Sequence, residues 1–313
     1  MILVTGGAGF IGSNLVTALL GQGHEVCVLD DFSVGSMDNL PDDARVCAGS
    51  ILHEDTLERL VLQAGLIYHL AAVVGVKYVL DDPLHAMLVN IQGTENVLRA
   101  AYRHGVRTVI ASSSEIYGKS AAVPLHEDSD RLLGPTTANR WSYSASKAID
   151  EYVALAYAKM GLPVSIVRYF NIYGPHMDPM GYGSVIAKFI ECARQGVPLP
   201  VYDTGQQTRC FTYVADAVRG TMLASGTEGV FNIGSMEETS VLRLAQMVNK
   251  IVGSEAGVEH ISSSHIYGAN FEEPVRRVPD TTRAREVLGF EATTPLSEGL
   301  QRTLGGEQCM SRS

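Results

Sequence analysis

Thr5-Gly6-Gly7-Ala8-Gly9-Phe10-Ile11-Gly12 lies between an apolar run, Ile2–Thr5, and a helical pattern, Phe10–Leu20. Glycines so placed let the backbone turn tightly and approach a pyrophosphate, which then rests on the helix N-terminus. By itself the pattern also describes an ordinary strand-to-helix turn, and its context separates the two. Asp30 closes the next strand about 20 residues further on, where a carboxylate accepts a ribose 2′-OH. Asp30-Asp31 is followed by Phe-Ser-Val-Gly-Ser, with no Arg or Lys before Arg45. A 2′-phosphate would face two carboxylates and no cation, so the expected dinucleotide is NAD rather than NADP.

Outward from this turn, short β-branched runs alternate with helical patterns. Ile2–Thr5, Glu25–Leu29, Arg45–Cys47, Ile67–Leu70, Thr108–Ala111 and Val164–Arg168 read as strands. Phe10–Leu20, Glu54–Leu62, Pro83–His104 and Ser142–Met160 read as helices, the third with Asp82 as N-cap and Pro83 at its first position. Such alternation predicts an α/β fold, a doubly wound parallel sheet with helices on both faces. After Gly174 the texture changes to helices such as Tyr182–Arg194 and Ser240–Val252 among short strands and turns. With 313 residues the chain suits about two domains. Residues 1–170 with part of 205–234 are expected to bind the dinucleotide. Residues 171–204 and 235–313 are expected to form a smaller substrate lobe, with a frayed tail at Gly305–Ser313.

The composition narrows the partners. A 46% hydrophobic, 19% charged chain has material for a core and is not disordered. Its net charge of −10 argues against nucleic acid as the main ligand, so any phosphate needs a local device. Five scattered cysteines without a CxxC pair predict free thiols in a reducing cytoplasm, no disulfide framework and no metal site. The start of the sequence lacks the pattern of a signal peptide, and the most apolar stretch, around Leu66–Val76, is too short to span a membrane.

Tyr143-Ser-Ala-Ser-Lys147 sets a tyrosine and a lysine on one helix face. An ammonium near the phenol favours phenolate, which makes Tyr143 a usable base. Ser112-Ser113-Ser114-Glu115 follows the fifth strand, at the carboxyl edge where α/β ligands bind, and Ser113 can share a proton between Tyr143 and a substrate hydroxyl.

The set TGGAGFIGS, Asp30-Asp31, His69-Leu-Ala-Ala72, SSSEIYG, YSASK, RYFNIYGP and QQTRCFTYV resembles the extended short-chain dehydrogenase/reductase family, over about residues 1–300. Within it the chain is similar to the nucleotide-sugar epimerase, dehydratase and decarboxylase branch. The resemblance implies a Rossmann domain with a discontinuous substrate lobe, tightly held NAD, a nucleotide-sugar substrate and a homodimer packed through two helices per subunit. It implies that Gly6, Gly9, Phe10, Ile11, Asp30, Asp31, Ser33 and Ser36 surround the dinucleotide. Leu70, Ala71 and Ala72 would line it, and Lys147 with Tyr143 would reach its nicotinamide ribose. Ser50-Ile51 stands where the family often has Asp-Ile near the adenine. For the substrate it implies Ser114, Asn171, Arg209 and one of Arg276 and Arg277, the arginines as diphosphate clamps. His69 reads as a buried structural histidine and Trp141 as packing.

For that family the resemblance implies oxidation of a sugar at C4, after which the 4-ketone is epimerised, dehydrated or, in a uronate, decarboxylated. Glu115 after Ser114 resembles the decarboxylases and dehydratases. Against this, a sugar carboxylate would meet His176 and Asp178 in Gly174-Pro175-His176-Met177-Asp178 unless Arg140, Lys188 or Arg194 reaches in. The sequence reading therefore ranks a UDP-hexose 4-epimerase first, a UDP-glucuronate decarboxylase second and a dehydratase third. A non-catalytic NAD sensor is the alternative of another class, opposed by the intact Ser113, Tyr143 and Lys147.

Overall fold

Each of the six expected strands joins one parallel sheet in the computed structural model, which describes residues 1–75, 81–178, 185–262 and 274–310, the last five as backbone. They are β1 (Ile2–Thr5), β2 (Val26–Asp30), β3 (Arg45–Ala48), β4 (Leu66–His69), β5 (Arg107–Ser113) and β6 (Val164–Tyr169). A seventh, β7 (Gly229–Ile233), joins from far along the chain, and the order is β7-β6-β5-β4-β1-β2-β3. The order reverses between β1 and β4, where Thr5 lies in register with His69. Ligands of doubly wound sheets bind outside the carboxyl ends at such a switch point.

Side chains alternate across the sheet. Val4, Val28 and Val167 face one way, against α1 (Phe10–Gly21) and the later helix Val214–Ala224. Leu3, Leu29 and Ile166 face the other way, against α2 (Glu54–Val61), the helix Gly93–His104 and the helix Arg140–Lys159. Both faces are therefore apolar, as a parallel sheet between two helical layers requires.

The expected long helix Pro83–His104 is interrupted. It runs as α3 (Pro83–Met87), a wide π turn at Leu88–Gln92, and α4 (Gly93–His104). The Asp82 cap forms as expected, accepting from His85 N–H at 3.0 Å. The wide turn aims Asn90 inward, where its carboxamide accepts from Val73 N at 2.7 Å and donates to Val73 O at 3.2 Å and Ser146 Oγ at 3.3 Å. Propensity along the helix contains no signal for that three-way tie. It links the segment after β4 to α5 (Arg140–Lys159), the helix that carries Tyr143.

Smaller sheets build the remaining lobe. Thr208–Cys210 lies between Glu238–Ser240, antiparallel, and Arg276–Arg277, parallel. Leu199–Tyr202 pairs with Val258–Ile261. The expected helix Tyr182–Arg194 is observed as α6 (Val185–Gln195), its first residues lying outside the described ones. The last described element is a helix, Leu296–Met310, which takes in the first part of the expected frayed tail; residues 311–313 lie outside the description. Cys27, Cys47, Cys192 and Cys210 are free thiols, and the Cys309 side chain is among those not described. No cluster among the described residues could hold a metal, and no described helix is long and apolar enough to cross a membrane.

One buried ion pair fastens α5 to the sheet. Arg168 on β6 donates from Nε to Glu151 Oε1 at 2.9 Å and from a terminal nitrogen to Oε2 at 2.6 Å. Its other terminal nitrogen donates to Tyr117 Oη at 2.8 Å and Glu127 O at 2.7 Å, and Ser112 Oγ donates to Glu151 at 2.5 Å. Removing one partner of such a pair leaves a buried charge uncompensated, at about 3–5 kcal/mol. Arg168→Met should lower the unfolding free energy by that amount in a urea titration. A loss below about 1 kcal/mol would class the pair with solvated surface bridges.

Candidate active site

The glycine turn is shaped by contacts that only glycine permits. Gly6 has φ +71°, and a Cβ there would sit 2.5 Å from Ala71 N, so the turn lies directly against Leu70-Ala71. A Cβ at Gly12 would sit 2.1 Å from Gly6 O, which holds the first turn of α1 close beneath the loop. A Cβ at Gly9 would meet only Gly6 O, at 3.3 Å, so its backbone borders open space at the mouth of α1. That open mouth of unpaired helix N–H groups suits a pyrophosphate.

Asp30 ends β2 beside this mouth. Its Oδ2 accepts from Ala8 N–H at 2.9 Å and its Oδ1 from Phe32 N–H at 2.9 Å. Burial pushes the carboxyl upward and these two N–H groups pull it down, with burial the larger. Asp31 is exposed and accepts from Ser33 N–H at 3.0 Å and Ser33 Oγ at 2.6 Å. Ser36 N–H donates to Ala8 O at 3.2 Å, which closes the ring around the loop. Ala72 is half-buried in the segment following β4. Phe10 and Ile11 begin α1 and are also half-buried. Ser50 accepts from Leu52 N–H at 3.3 Å, whereas Ile51 turns its side chain into the core against Gly93. Carboxylates at the ribose position, an open helix mouth and no adjacent cation are a donor set that fits NAD.

The residues expected to react gather across β4 from the glycine turn. β5 ends at Ser113, whose hydroxyl lies on the Tyr143 side and accepts from Glu115 N–H at 3.2 Å. Burial pushes the phenol well above its ordinary range, and the Glu115 charge adds to this. Lys147 is one turn along α5, as the spacing predicts, but its ammonium is 3.1 Å from Asp150 Oδ2. The lysine charge expected to favour phenolate is thus held by a carboxylate one turn further on. His69 is buried, hydrogen-bonded to Thr5 Oγ1 at 2.7 Å and Thr94 Oγ1 at 3.0 Å. Burial first and the Lys147 charge second hold it neutral, down to about 3, which makes it structural as expected.

Glu115 sits among arginines. Arg277 reaches both carboxylate oxygens, and Arg140 lies 3.7 Å away. Burial alone would raise the carboxyl, but the charges of Arg277, Arg140 and Arg209 overcome it and bring it down to about 2. Arg277 is the inward member of its pair at 3% side-chain exposure. Arg276, the first choice from sequence, is 53% exposed and bound to Glu238 at 2.8 Å. In register, Arg277 stands beside Arg209 and Arg276 beside Thr208. Successive strand residues face opposite ways, so only one of the two arginines can enter the site.

The other sequence-selected residues are also placed. Ser114 is buried in the turn after β5. Asn171 has φ +44° and donates from Nδ2 to Cys210 O at 3.1 Å. Trp141 is buried and lies 5.3 Å beneath the Arg140 guanidinium. His176 turns toward the dinucleotide side, with Nδ1 2.8 Å from Ser13 Oγ, and Asn14 Nδ2 donates to Pro175 O at 3.1 Å. Arg194 lines an open cavity of about 850 Å³ with Gln195, Ser254 and Glu255. Lys188 is exposed on α6. Asp150 was not anticipated from the sequence, although its i,i+3 spacing from Lys147 is a usable signal.

Fold and site together define a class of protein: a doubly wound α/β enzyme with an NAD mouth and a Ser–Tyr–Lys centre. The NAD dependent epimerase/dehydratase family model matches residues 2–234, and the chain belongs to that family, with NAD as its cofactor. It is 41% identical over 308 residues to the UDP-N-acetyl-alpha-D-glucosaminuronate decarboxylase of Bacillus cytotoxicus, covering 96% of each chain. It is 36% identical over 306 residues to UDP-glucuronic acid decarboxylase 1 of Xenopus tropicalis, covering 97% of this chain and 71% of that one. The crystal structure of the UDP-glucose 4-epimerase of Thermotoga maritima with UDP-glucose superposes with a TM-score of 0.91 at 31% identity, covering 99% of both chains. The chain is thus an NAD-dependent enzyme of the UDP-sugar group.

A hydrogen bond to a charged acceptor is worth about 1.5–3 kcal/mol. Asp30→Ala should therefore weaken NAD binding by about 10–150-fold in calorimetric titration. NADP binding to the unaltered protein as tightly as NAD would remove Asp30 from cofactor selection.

Proposed function

We propose that this chain is a UDP-hexuronate decarboxylase, with UDP-N-acetylglucosaminuronate the first candidate substrate. The observation that carries the reading is the arginine cluster at Glu115: Arg277 reaches both its oxygens, Arg140 lies 3.7 Å away and the Arg209 charge acts on it too, a local basic device in a protein of net −10. A guanidinium forks two carboxylate or phosphate oxygens, so such a pocket suits a substrate with an anionic sugar. The curated relatives compared above act as decarboxylases, which supports the same choice.

This reverses the order that the sequence suggests. There, His176 and Asp178 stood against a sugar carboxylate. In the fold His176 faces Ser13 on α1, and Arg140 is the residue that reaches the Glu115 side of the site. The overlap with a 4-epimerase structure supports the shared first step and keeps epimerisation as the second reading. Residues 1–170 with part of 205–234 hold the dinucleotide in this scheme, and the rest of the chain holds the nucleotide sugar.

In the proposed reaction Tyr143 takes the proton of the sugar 4-OH, with Ser113 sharing a hydrogen bond with that hydroxyl. Bound NAD supplies the hydride acceptor at C4 and later the donor that restores it. Oxidation at C4 makes the uronate a β-keto acid, so the C5–C6 bond breaks, carbon dioxide leaves and the electron pair moves onto the C4 oxygen. Water supplies the proton that C5 then takes up, and Tyr143 returns its own proton to the 4-oxygen on re-reduction, while Glu115, held low by its arginines, stays ionised. Its part is to hold Arg277 and Arg140 in place and to accept a substrate hydrogen bond.

Parallel incubation with UDP-N-acetylglucosaminuronate, UDP-glucuronate, UDP-glucose and UDP-galactose, followed by proton NMR, tests the reading. The expected outcome is a new pentose signal with equimolar carbon dioxide from a uronate. Interconversion of the neutral hexoses without carbon dioxide would put the epimerase first. Tyr143→Phe should lower kcat by about 10²–10⁴-fold while NAD stays bound.

A further inference from the structure

Tyr143, Lys147 and Asp150 occupy i, i+4 and i+7 of α5 and so form one stripe on its buried face. Family chemistry uses the first two. The third is a carboxylate with 1% side-chain exposure, paired at 3.1 Å to an ammonium with 4% exposure. One of its oxygens, Oδ1, is buried without a hydrogen-bond partner. A buried acid at that position does not serve solubility, and half of its hydrogen-bonding capacity is unused. Packing alone would be met as well by an apolar side chain of similar size.

We propose that Asp150 is a positioning residue for the reaction: by holding the Lys147 ammonium it divides that charge between itself and Tyr143, and so sets the pH at which the tyrosine becomes a base. The inference rests on Tyr143 being the base of the proposed reaction. Geometry limits what else can set that pH. Glu115 faces the phenol from the turn after β5 and raises it more than Asp150 does, but it is tied to Arg277 and Arg140 and not to Lys147. His69, from β4, is neutral, and Glu151 turns away to Arg168 on β6. On α4, Glu95 bonds Tyr157 at 3.1 Å, further along the helix, and His85 of α3 is exposed. Asp150 is therefore the carboxylate of the stripe whose charge acts on both functional groups. It raises the Tyr143 phenol, while burial pushes its own carboxyl up and Lys147 pulls it back down.

The sign follows from Coulomb's law. Replacing Asp150 by a neutral isostere leaves the Lys147 charge uncompensated one turn from Tyr143, and phenolate becomes easier to form. The test uses NAD-loaded protein carrying fluorotyrosine, with the Tyr143 fluorine resonance assigned by its loss in Tyr143→Phe. In Asp150→Asn the phenol midpoint should fall by about one pH unit, a tenfold change in its ionisation constant, while Asp150→Glu stays near the unaltered protein. The acid limb of kcat for uronate decarboxylation should move with it. An Asp150→Asn midpoint within about 0.3 unit of the unaltered protein would overturn the inference. Should Asp150→Asn fail to fold, Asp150→Ser carries the same measurement. A phenol midpoint that falls while kcat does not follow upholds the charge division and instead removes Tyr143 as the base.

Discussion

A guanidinium that cannot reach water must find its counter-charge inside the chain, and Arg168 finds it in Glu151. That requirement organises the centre of the molecule. Glu151 lies on α5 and Arg168 on β6, so satisfying the charge fixes the helix along the sheet. Tyr117, bonded to the same guanidinium, fixes the turn that carries Ser114 and Glu115. Tyr117 also donates to Asn232 Oδ1 at 2.7 Å, and Asn232 Nδ2 donates to Asp280 O at 3.0 Å. The chain of bonds thus passes from the catalytic helix into the segment just beyond Arg277. Serine, tyrosine and arginine of the site are positioned from one buried charge, which is why its geometry is stiff.

A second polar chain runs beside the first. Thr5 at the end of β1 bonds His69, and His69 bonds Thr94 at the start of α4. Thr5 immediately precedes the glycine turn. The glycine turn is therefore tied to α4 through buried groups that have few alternative partners. A buried polar group is costly when unmatched, so such a chain favours one arrangement over many.

The parts legible in the sequence are those whose constraint is local. A glycine that must adopt φ +71° against Ala71 shows itself as glycine, and a strand ending in Asp30 shows itself by its place after β-branched residues. The Tyr–Lys pair was legible because four residues make one helical turn. What could not be read depends on pairings between distant segments. Arg276 and Arg277 are indistinguishable until their register with Thr208–Cys210 decides which faces inward. β7 belongs to the sheet because it pairs with β6 from far along the chain. The π turn at Leu88–Gln92 answers Val73 and Ser146, neither of which is near it in sequence. Asp150 falls between these cases: its spacing was visible, but its burial was not.

The charge distribution ties the functional reading to the composition. A protein of net −10 repels a nucleotide sugar at long range, and more strongly if the sugar carries a carboxylate. Screening confines that repulsion to about 8–10 Å at physiological ionic strength, so a local cluster can reverse it at the site. Arg277, Arg209 and Arg140 are such a cluster, drawn from three separate segments around one carboxylate. With Glu115 in place, Arg277 is held at both carboxylate oxygens and Arg140 is drawn to the same group. The same carboxylate that lets the cluster assemble is then in position to be displaced from Arg277 by an incoming anion. An acidic enzyme for an acidic substrate is consistent on these terms, because recognition depends on the placement of a few guanidiniums and not on the sign of the surface as a whole.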